Sequence, residues 1–453
     1  MIADLKPYPK YKESGLPWIG SVPEHWSQRR MKFLFTERVQ KGFPDEPLLA
    51  ATQTKGVIRK EDYGTRTVTA QKDFHLLKLV EPGDFVISLR SFEGGIEAAH
   101  TRGIISPAYT VLAPKPEACR TYFTRFFKSS DFIRSLSLFV TGIREGQNID
   151  YERLSRAFMP LPPVNEQKMI GRFLDHTNRR LERTIRAKRK VIALLNEQKQ
   201  AIIHRAVTRG LDPNDPLKPS GIPWLGDIPK HWEVSRVKNE FTCLNPRRIP
   251  LSSVERGKMT AGLYDYYGAS GVIDKVDNFL FDDDLLLIAE DGANLVLRNL
   301  PLAIIARGKF WVNNHAHILK PKRGSLEYLA GFMETLNYQP WISGAAQPKL
   351  TKNGLMSIAI AVAPPTEQPA IVEHFIEKTA PLCNAISRTE REIALLREYR
   401  TRLVADVVTG KLDVREAAII LPEEADVPEP LDGIEALAEV DDLADDTPEE
   451  DEA

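Results

Sequence analysis

PLPPVNEQKMIGRFLDHTNRRLERTIRAKRKVIALLNEQKQAIIHRAVTRGLD runs from Pro160 to Asp212 near the middle of the chain. A Pro-Pro pair stops the preceding strand, and Asn165 then stands ahead of Glu166-Gln167. Asn accepts from free first-turn amides and Glu suits the positive end of a helix dipole, so a helix starts here. Ile170, Leu174, Leu181, Ile185, Ile192, Leu195 and Ile202 follow at gaps of mostly three, four and seven. That spacing makes one apolar stripe near the coiled-coil period. A helix of about 44 residues is on the order of 65 Å long, and one apolar edge of that length needs a partner to cover it.

The partner is in the same chain. VAPPTEQPAIVEHFIEKTAPLCNAISRTEREIALLREYRTRLVADVVTGKLD runs from Val362 to Asp413, again with Pro-Pro, a capping residue (Thr366) and Glu-Gln. Its stripe is Ile371, Phe375, Leu382, Ile386, Ile393, Leu396 and Leu403, the first stripe displaced by 201 residues. A second repeat opens each half: SGLPWIGSVPEHWSQRRMKFLF (14–35) returns as SGIPWLGDIPKHWEVSRVKNEF (220–241), identical at eleven of 22 positions. Its turn residues and large aromatics read as a docking segment, with Trp18, Trp26, Trp224 and Trp232 as anchors. His25 and His231 read as structural, hydrogen-bonded beside a tryptophan.

Between the frames, residues 36–160 and 242–362 have another texture. Short β-rich runs (Phe85–Ser88, Ala108–Leu112, Leu285–Ile288, His317–Leu319) are broken by Gly, Pro, Asn and Asp, and each segment then carries a helical patch (Tyr122–Ser130, Leu326–Asn337) and a Gly-containing loop. Two α+β globules with matched frames and divergent interiors suggest two readers of one class with different targets. A chain of 453 residues, 42% hydrophobic and 27% charged, suits two to four globular units at roughly 100–200 residues each. There is no run of about 18 apolar residues and no apolar leader. Three scattered cysteines, Cys119, Cys243 and Cys383, argue against disulfides and a Cys-based zinc site. The chain reads as cytoplasmic.

Its net charge of -1 hides an asymmetry. Fifteen of the 62 acidic residues follow Leu421, where there is no Lys or Arg. The part before them therefore holds 61 basic against 47 acidic residues, a balance of +14 that suits a polyanion partner. The tail itself has the composition of a disordered segment.

Enzyme signatures are absent. The Gly-Lys pairs at Gly257, Gly308 and Gly410 lack the rest of a phosphate-binding loop, no GxGxxG opens a helix, and no Asn/Asp-Pro-Pro-aromatic tetrapeptide marks an adenine methyltransferase. His315-Ala316-His317 lacks a third metal ligand nearby, and Asp282–Asp284 with Glu290-Asp291 resemble an acidic metal cluster but are explained equally well by a turn and a strand end. What remains are polar, planar and basic loop residues. They are Arg90, Ser91, Thr101, Arg102, Arg144, Gln147 and Asn148 in the first globule, and Tyr264, Tyr267, Ser270, Asn294, Asn314, His315, Gln347 and Lys349 in the second. Arg and Lys suit guanine edges and phosphates, Asn and Gln pair with adenine, and Ser or Thr adapt, so DNA readout is the leading function. A duplicated coiled-coil adaptor and a nuclease using Asp282–Asp284 with Glu290 are the alternatives.

These features together resemble the specificity subunit of type I restriction-modification systems. The resemblance is carried by Tyr11–Gly20 with Pro23-Glu24-His25-Trp26, their copy from Ser220 to Trp232, Tyr267–Gly271, Glu290–Asn294 and the two Pro-Pro…Glu-Gln helix starts. It covers the chain to about Arg415. The Phe92–Gly95 region departs from it, lacking the Tyr-Gly-x-x-Gly turn of the second globule.

The resemblance implies an α+β chain with two target-recognition domains separated by a pair of long antiparallel helices, related by a pseudo-twofold repeat. Docking segment and first domain then occupy 1–163, the central helix 164–211, the second docking segment and domain 212–364, the C-terminal helix 365–412 and the acidic tail 413–453. Each domain would read half of a bipartite site in double-stranded DNA, with no catalysis and no metal or cofactor of its own. The implied partners are two modification (methyltransferase) subunits and, through them, restriction (translocase/nuclease) subunits. S-adenosylmethionine, ATP and magnesium belong to those partners.

Overall fold

The computed structural model describes residues 5–63, 73–141, 148–291, 294–298, 300–344 and 348–422. The chain folds into two compact units, residues 1–186 with 393–453, and residues 187–392. The two stripes lie on single helices, a central one at Val164–Arg209 and a C-terminal one at Gln368–Val408. The first begins a residue before Asn165, which is therefore inside the helix and not its cap. Pro163 supplies the first carbonyl instead, accepting from Gln167 N at 2.9 Å.

In the first unit Ile170, Phe173 and Leu174 share a core with Leu403, Val407 and Val408, and Arg400 pairs with Glu182 at 3.6 Å. In the second, Ile203 and Val207 share a core with Ile371 and Phe375, and Lys188 meets Glu392 at 2.6 Å. Rising numbers on one helix meet falling numbers on the other, so the pair is antiparallel. Burial along the stripe is uneven. Leu181 and Ile185 are buried, Ile192 and Leu195 are half-buried, and Leu194 is 56% exposed.

Each helix start is braced by its Glu-Gln pair. Gln167 is fully buried, its amide donating to the carbonyls of Pro162 and Glu117 while its oxygen takes Cys119 N at 2.8 Å. Gln368 does the same with Ala363 O and Ser325 N. Glu166 accepts from Trp26 Nε1 at 2.9 Å and lies 2.7 Å from His25 Nε2 and Tyr8 Oη. Glu367 takes Trp232 Nε1 at 3.1 Å and His231 Nε2 at 3.0 Å. The two repeated motifs thus meet in space, and His25 and His231 are structural, as their sequence setting suggests. Trp26 and Trp232 have no exposed surface. The docking role expected of these two therefore does not hold for their indoles, which are core groups. Trp18 is half-buried against Phe126 and Phe132, and Trp224 is 38% exposed against Phe332 and Trp341.

The divergent interiors share a topology. The first unit has a four-stranded antiparallel sheet in the order Phe35–Glu37, Thr110–Pro114, Phe85–Ile87, Glu97–Ala98. The second has Phe241–Cys243, Ala316–Pro321, Leu285–Ala289, Ala303–Ala306 in the same order and sense. The helical patches form at Arg120–Phe127 and Leu326–Thr335. Aromatic packing fills the first core, with Phe35 and Phe127 packed on each other and each on Phe85 and Phe123, at centroid separations of 5.1–5.7 Å. The second unit adds a mixed sheet in which Tyr264–Gly268 runs parallel to Lys309–Val312 and antiparallel to Gly271–Val276. Among the described residues no helix is long and apolar enough to cross a membrane.

Candidate nucleic-acid interface

The second unit gathers polar groups at one end of its sheet. Leu285–Ala289 is five buried residues in a row, a central strand covered on both faces. It ends where the chain turns polar, at Glu290 and Asp291. Its neighbour is Ala316–Pro321, with Ala289 opposite Ala316. Glu290 N donates to His315 O at 2.9 Å, and Leu350 N donates to Glu290 O at 2.7 Å. Asp291 and Lys349 form a bridge. Strand pairing thus brings the Asn314–His315 turn and the Lys349–Leu350 strand to the same acidic pair.

Side chains complete the cluster. Arg248 Nη1 donates to Glu290 Oε2 at 2.5 Å, to Ala316 O at 2.8 Å and to Asn314 O at 3.1 Å. Lys349 Nζ is 3.4 Å from Glu290 Oε1, and His315 Nδ1 lies 2.9 Å from Asp291 Oδ1. His317 is fully buried. Its Nε2 donates to Leu350 O at 2.7 Å, and its Nδ1 accepts from Asn245 Nδ2 at 2.8 Å. The roles are forced, since Leu350 O only accepts and the Asn245 oxygen is taken by Ile318 N at 3.0 Å. The ring is therefore neutral, and burial pulls its pKa below the usual histidine range against the opposing pull of Leu350 O and Glu290. Burial pushes Glu290 upward, but the Arg248 hydrogen bond and the charges of Arg248 and Lys349 outweigh it and leave it ionised below its usual range.

Of the expected contact residues, Asn314, His315 and Lys349 converge here with exposed side chains. Asn294 does not join them, because its amide donates to Leu300 O and its oxygen accepts from Leu300 N, closing its own turn. Tyr264 packs edge-on against Phe279 at 5.2 Å, Tyr267 edge-on against Phe310 at 5.6 Å, and Ser270 is half-buried at the hairpin turn between their strand and the next.

In the first unit Arg90 is exposed and paired with Glu93, while Arg102 is held by Glu46 and Glu81. Asn148 is exposed, opposite Thr141 in a short ladder. Two residues there are not contact groups. Ser91 is buried, accepting from Ser88 N at 2.8 Å, and the Thr101 hydroxyl is buried. Arg144, Gln147 and Gln347 lie outside the described residues.

Members of the other polar clusters are bonded within the fold. Asp283 is paired with Lys320 and Asp284 with Arg307 at 2.5 Å, and both His317 nitrogens are bonded. Among the described residues, Asp215, His231 and Glu367 are the one set of three metal-type side chains with ligand atoms within 4.8 Å of one another. Glu367 there already serves Trp232. Arg248 and Asn245, central to the cluster, escaped the sequence reading. The basic pair Arg247-Arg248 in Asn245–Pro250 was the only available signal.

Residues 229–392 match the family described as the type I restriction modification DNA specificity domain. A putative type I restriction enzyme specificity subunit of Haemophilus influenzae is 34% identical over 132 residues, 29% of this chain and 33% of that protein. The chain thus matches about a third of that relative's length. The putative MjaX specificity subunit of Methanocaldococcus jannaschii is 24% identical over 446 residues, covering 88% of this chain and 96% of its own. A solved chain from work on complex assembly and conformational transition of a type I R-M system superposes over 86% of this chain and 99% of its own, with a TM-score of 0.56 at 14% identity, which shows a shared fold.

Proposed function

The chain belongs to the specificity-subunit family of type I restriction-modification systems, and from that premise we propose that each of its globules reads one half of a bipartite site in double-stranded DNA. The observation that carries this is the shared strand order of two interiors whose exposed polar residues differ. Duplicated frames with unlike contact groups suit two unlike half-sites. Asn314, His315 and Lys349 are the first candidates for contact in the second globule, Arg90, Arg102 and Asn148 in the first. Bases are told apart by donors and acceptors in the grooves, while Lys and Arg also serve phosphates.

The antiparallel helices act as a spacer. A helix of 46 residues is on the order of 70 Å long, against roughly 34 Å between half-sites one DNA turn apart. Methyltransferase subunits dock on this frame, with Trp18 and Trp224 as the remaining aromatic candidates, and restriction subunits join through them. Chemistry, with S-adenosylmethionine, ATP and magnesium, is theirs. Filter binding of the full chain to random and genomic duplex, with and without methyltransferase subunits, tests the reading. Sequence-selective retention is expected. Binding to no duplex in either arm favours a protein adaptor instead, and cleavage by the isolated chain with magnesium favours a nuclease.

A further inference from the structure

Glu290 is an acid at an end of the sheet where three candidate DNA contacts converge. Near phosphate an unpaired carboxylate is unfavourable, and a nearly buried one is strongly so unless paired. Here it is 9% exposed and fully engaged. Its Oε2 accepts from Arg248 at 2.5 Å, its Oε1 is ion-paired with the Lys349 ammonium at 3.4 Å, and its backbone carbonyl accepts from Leu350 N at 2.7 Å. Arg248 in turn donates to the carbonyls of Asn314 and Ala316. One carboxylate therefore ties together the loop carrying Arg248, the Asn314–His315 turn and the Lys349–Leu350 strand. A neutral residue of the same size would fill the space, but it would not aim the Lys349 ammonium.

We propose that Glu290 is a positioning residue. Through its ion pair with Lys349 and its Arg248 bond to the Asn314 turn, it sets where Lys349 meets DNA, and so governs base preference in one half-site only. The inference rests on the reading of the second globule as a DNA reader. It extends that reading by naming a residue that touches no DNA and yet determines specificity.

The test is selection from a pool of random-sequence duplex by the full chain, comparing wild type, Glu290→Gln, Lys349→Met and the double variant, each with a thermal melt. Glu290→Gln is expected to melt close to wild type, because the amide oxygen still accepts from Arg248. It is also expected to lose preference on the order of tenfold at positions in one half of the selected sequence, leaving the other half intact. Lys349→Met should lose the same positions, and the double variant should be no worse than Lys349→Met, since Glu290 acts through that ammonium. Unchanged selection by Glu290→Gln overturns the inference, as do losses that add fully in the double variant or fall in both half-sites. If Glu290→Gln does not fold, Glu290→Asp, one methylene shorter, serves with the same outcomes. A wild-type chain that enriches no sequence, with or without methyltransferase subunits, refutes the DNA reading itself, and this inference with it.

Discussion

Glu166 and Glu367 each accept from a fully buried indole and a neighbouring imidazole, so two sequence motifs more than a hundred residues apart are joined by one carboxylate. Tyr8 adds a third bond to Glu166, and its phenol is pushed far above the usual range by burial first and by that carboxylate second. Glu166→Leu should therefore orphan several buried donors at about 1–3 kcal/mol each. A marked fall in the urea midpoint is expected, and a midpoint equal to wild type would show that these bonds contribute nothing. His317 makes a second prediction. Burial holds its pKa below the ordinary value of about 6.5, with Arg248, Glu290 and Lys349 as the charged groups facing it. The unfolded chain then takes up the proton more readily than the folded one, so the site's contribution to stability is present above about pH 6.5 and lost as pH falls. Wild type should lose more stability on acidification than His317→Gln in parallel melts. His100 and His204, also held low by burial, act equally in both proteins. Equal pH dependence would remove His317 from the account.

Helix ends carry their own constraint. Just past the C-terminal helix stands Gly410, whose φ is +79° and where an added Cβ would come within 2.4 Å of Pro23 Cδ and 3.0 Å of Trp26 Cη2. Gly20 has nearly the same φ, +74°, with nothing within 4 Å. Alanine at Gly20 should cost about 1–2 kcal/mol for the left-handed backbone alone, and at Gly410 the clash is added. Thermal melts of the two variants separate the contributions, and equal losses would mean that the close approach is absorbed. At the level of the paired helices, Ile192 and Leu195 are only half-buried, so four residues inserted near Leu194 lengthen the spacer at small packing cost. Mapping methylated adenines made by the complex should show a longer unspecified gap with both half-sequences unchanged. Altered half-sequences with an unaltered gap would refute the spacer role.

Across the whole molecule, replacing residues 36–160 by the corresponding globule of a relative should change one half-site and leave the other, read by the same methylation mapping; a change in both would refute two independent readers. Much of this architecture was legible beforehand. The helix stripes, the two repeats and the strand runs at Phe85, Leu285 and His317 depend on short-range periodicity and local propensity, which sequence carries directly. The candidate interface was less legible. Asn314, His315 and Lys349 were singled out by residue type, but Ser91 and Asn294 have the same chemistry and are spent on internal bonds, and the Thr101 hydroxyl is buried. Arg248, Glu290 and His317 matter only because strands distant in sequence set them side by side. By itself the sequence determined the elements, their duplication and the apolar faces that had to be covered, since each follows from the spacing of residues along one segment. Only the tertiary structure decided which tryptophans are core, that the N-terminal segment closes on the end of the C-terminal helix, and which polar groups stay free. The first two outcomes depend on hydrogen-bond partners 135 to 400 residues away, and a donor's availability is known only once its partner is in place.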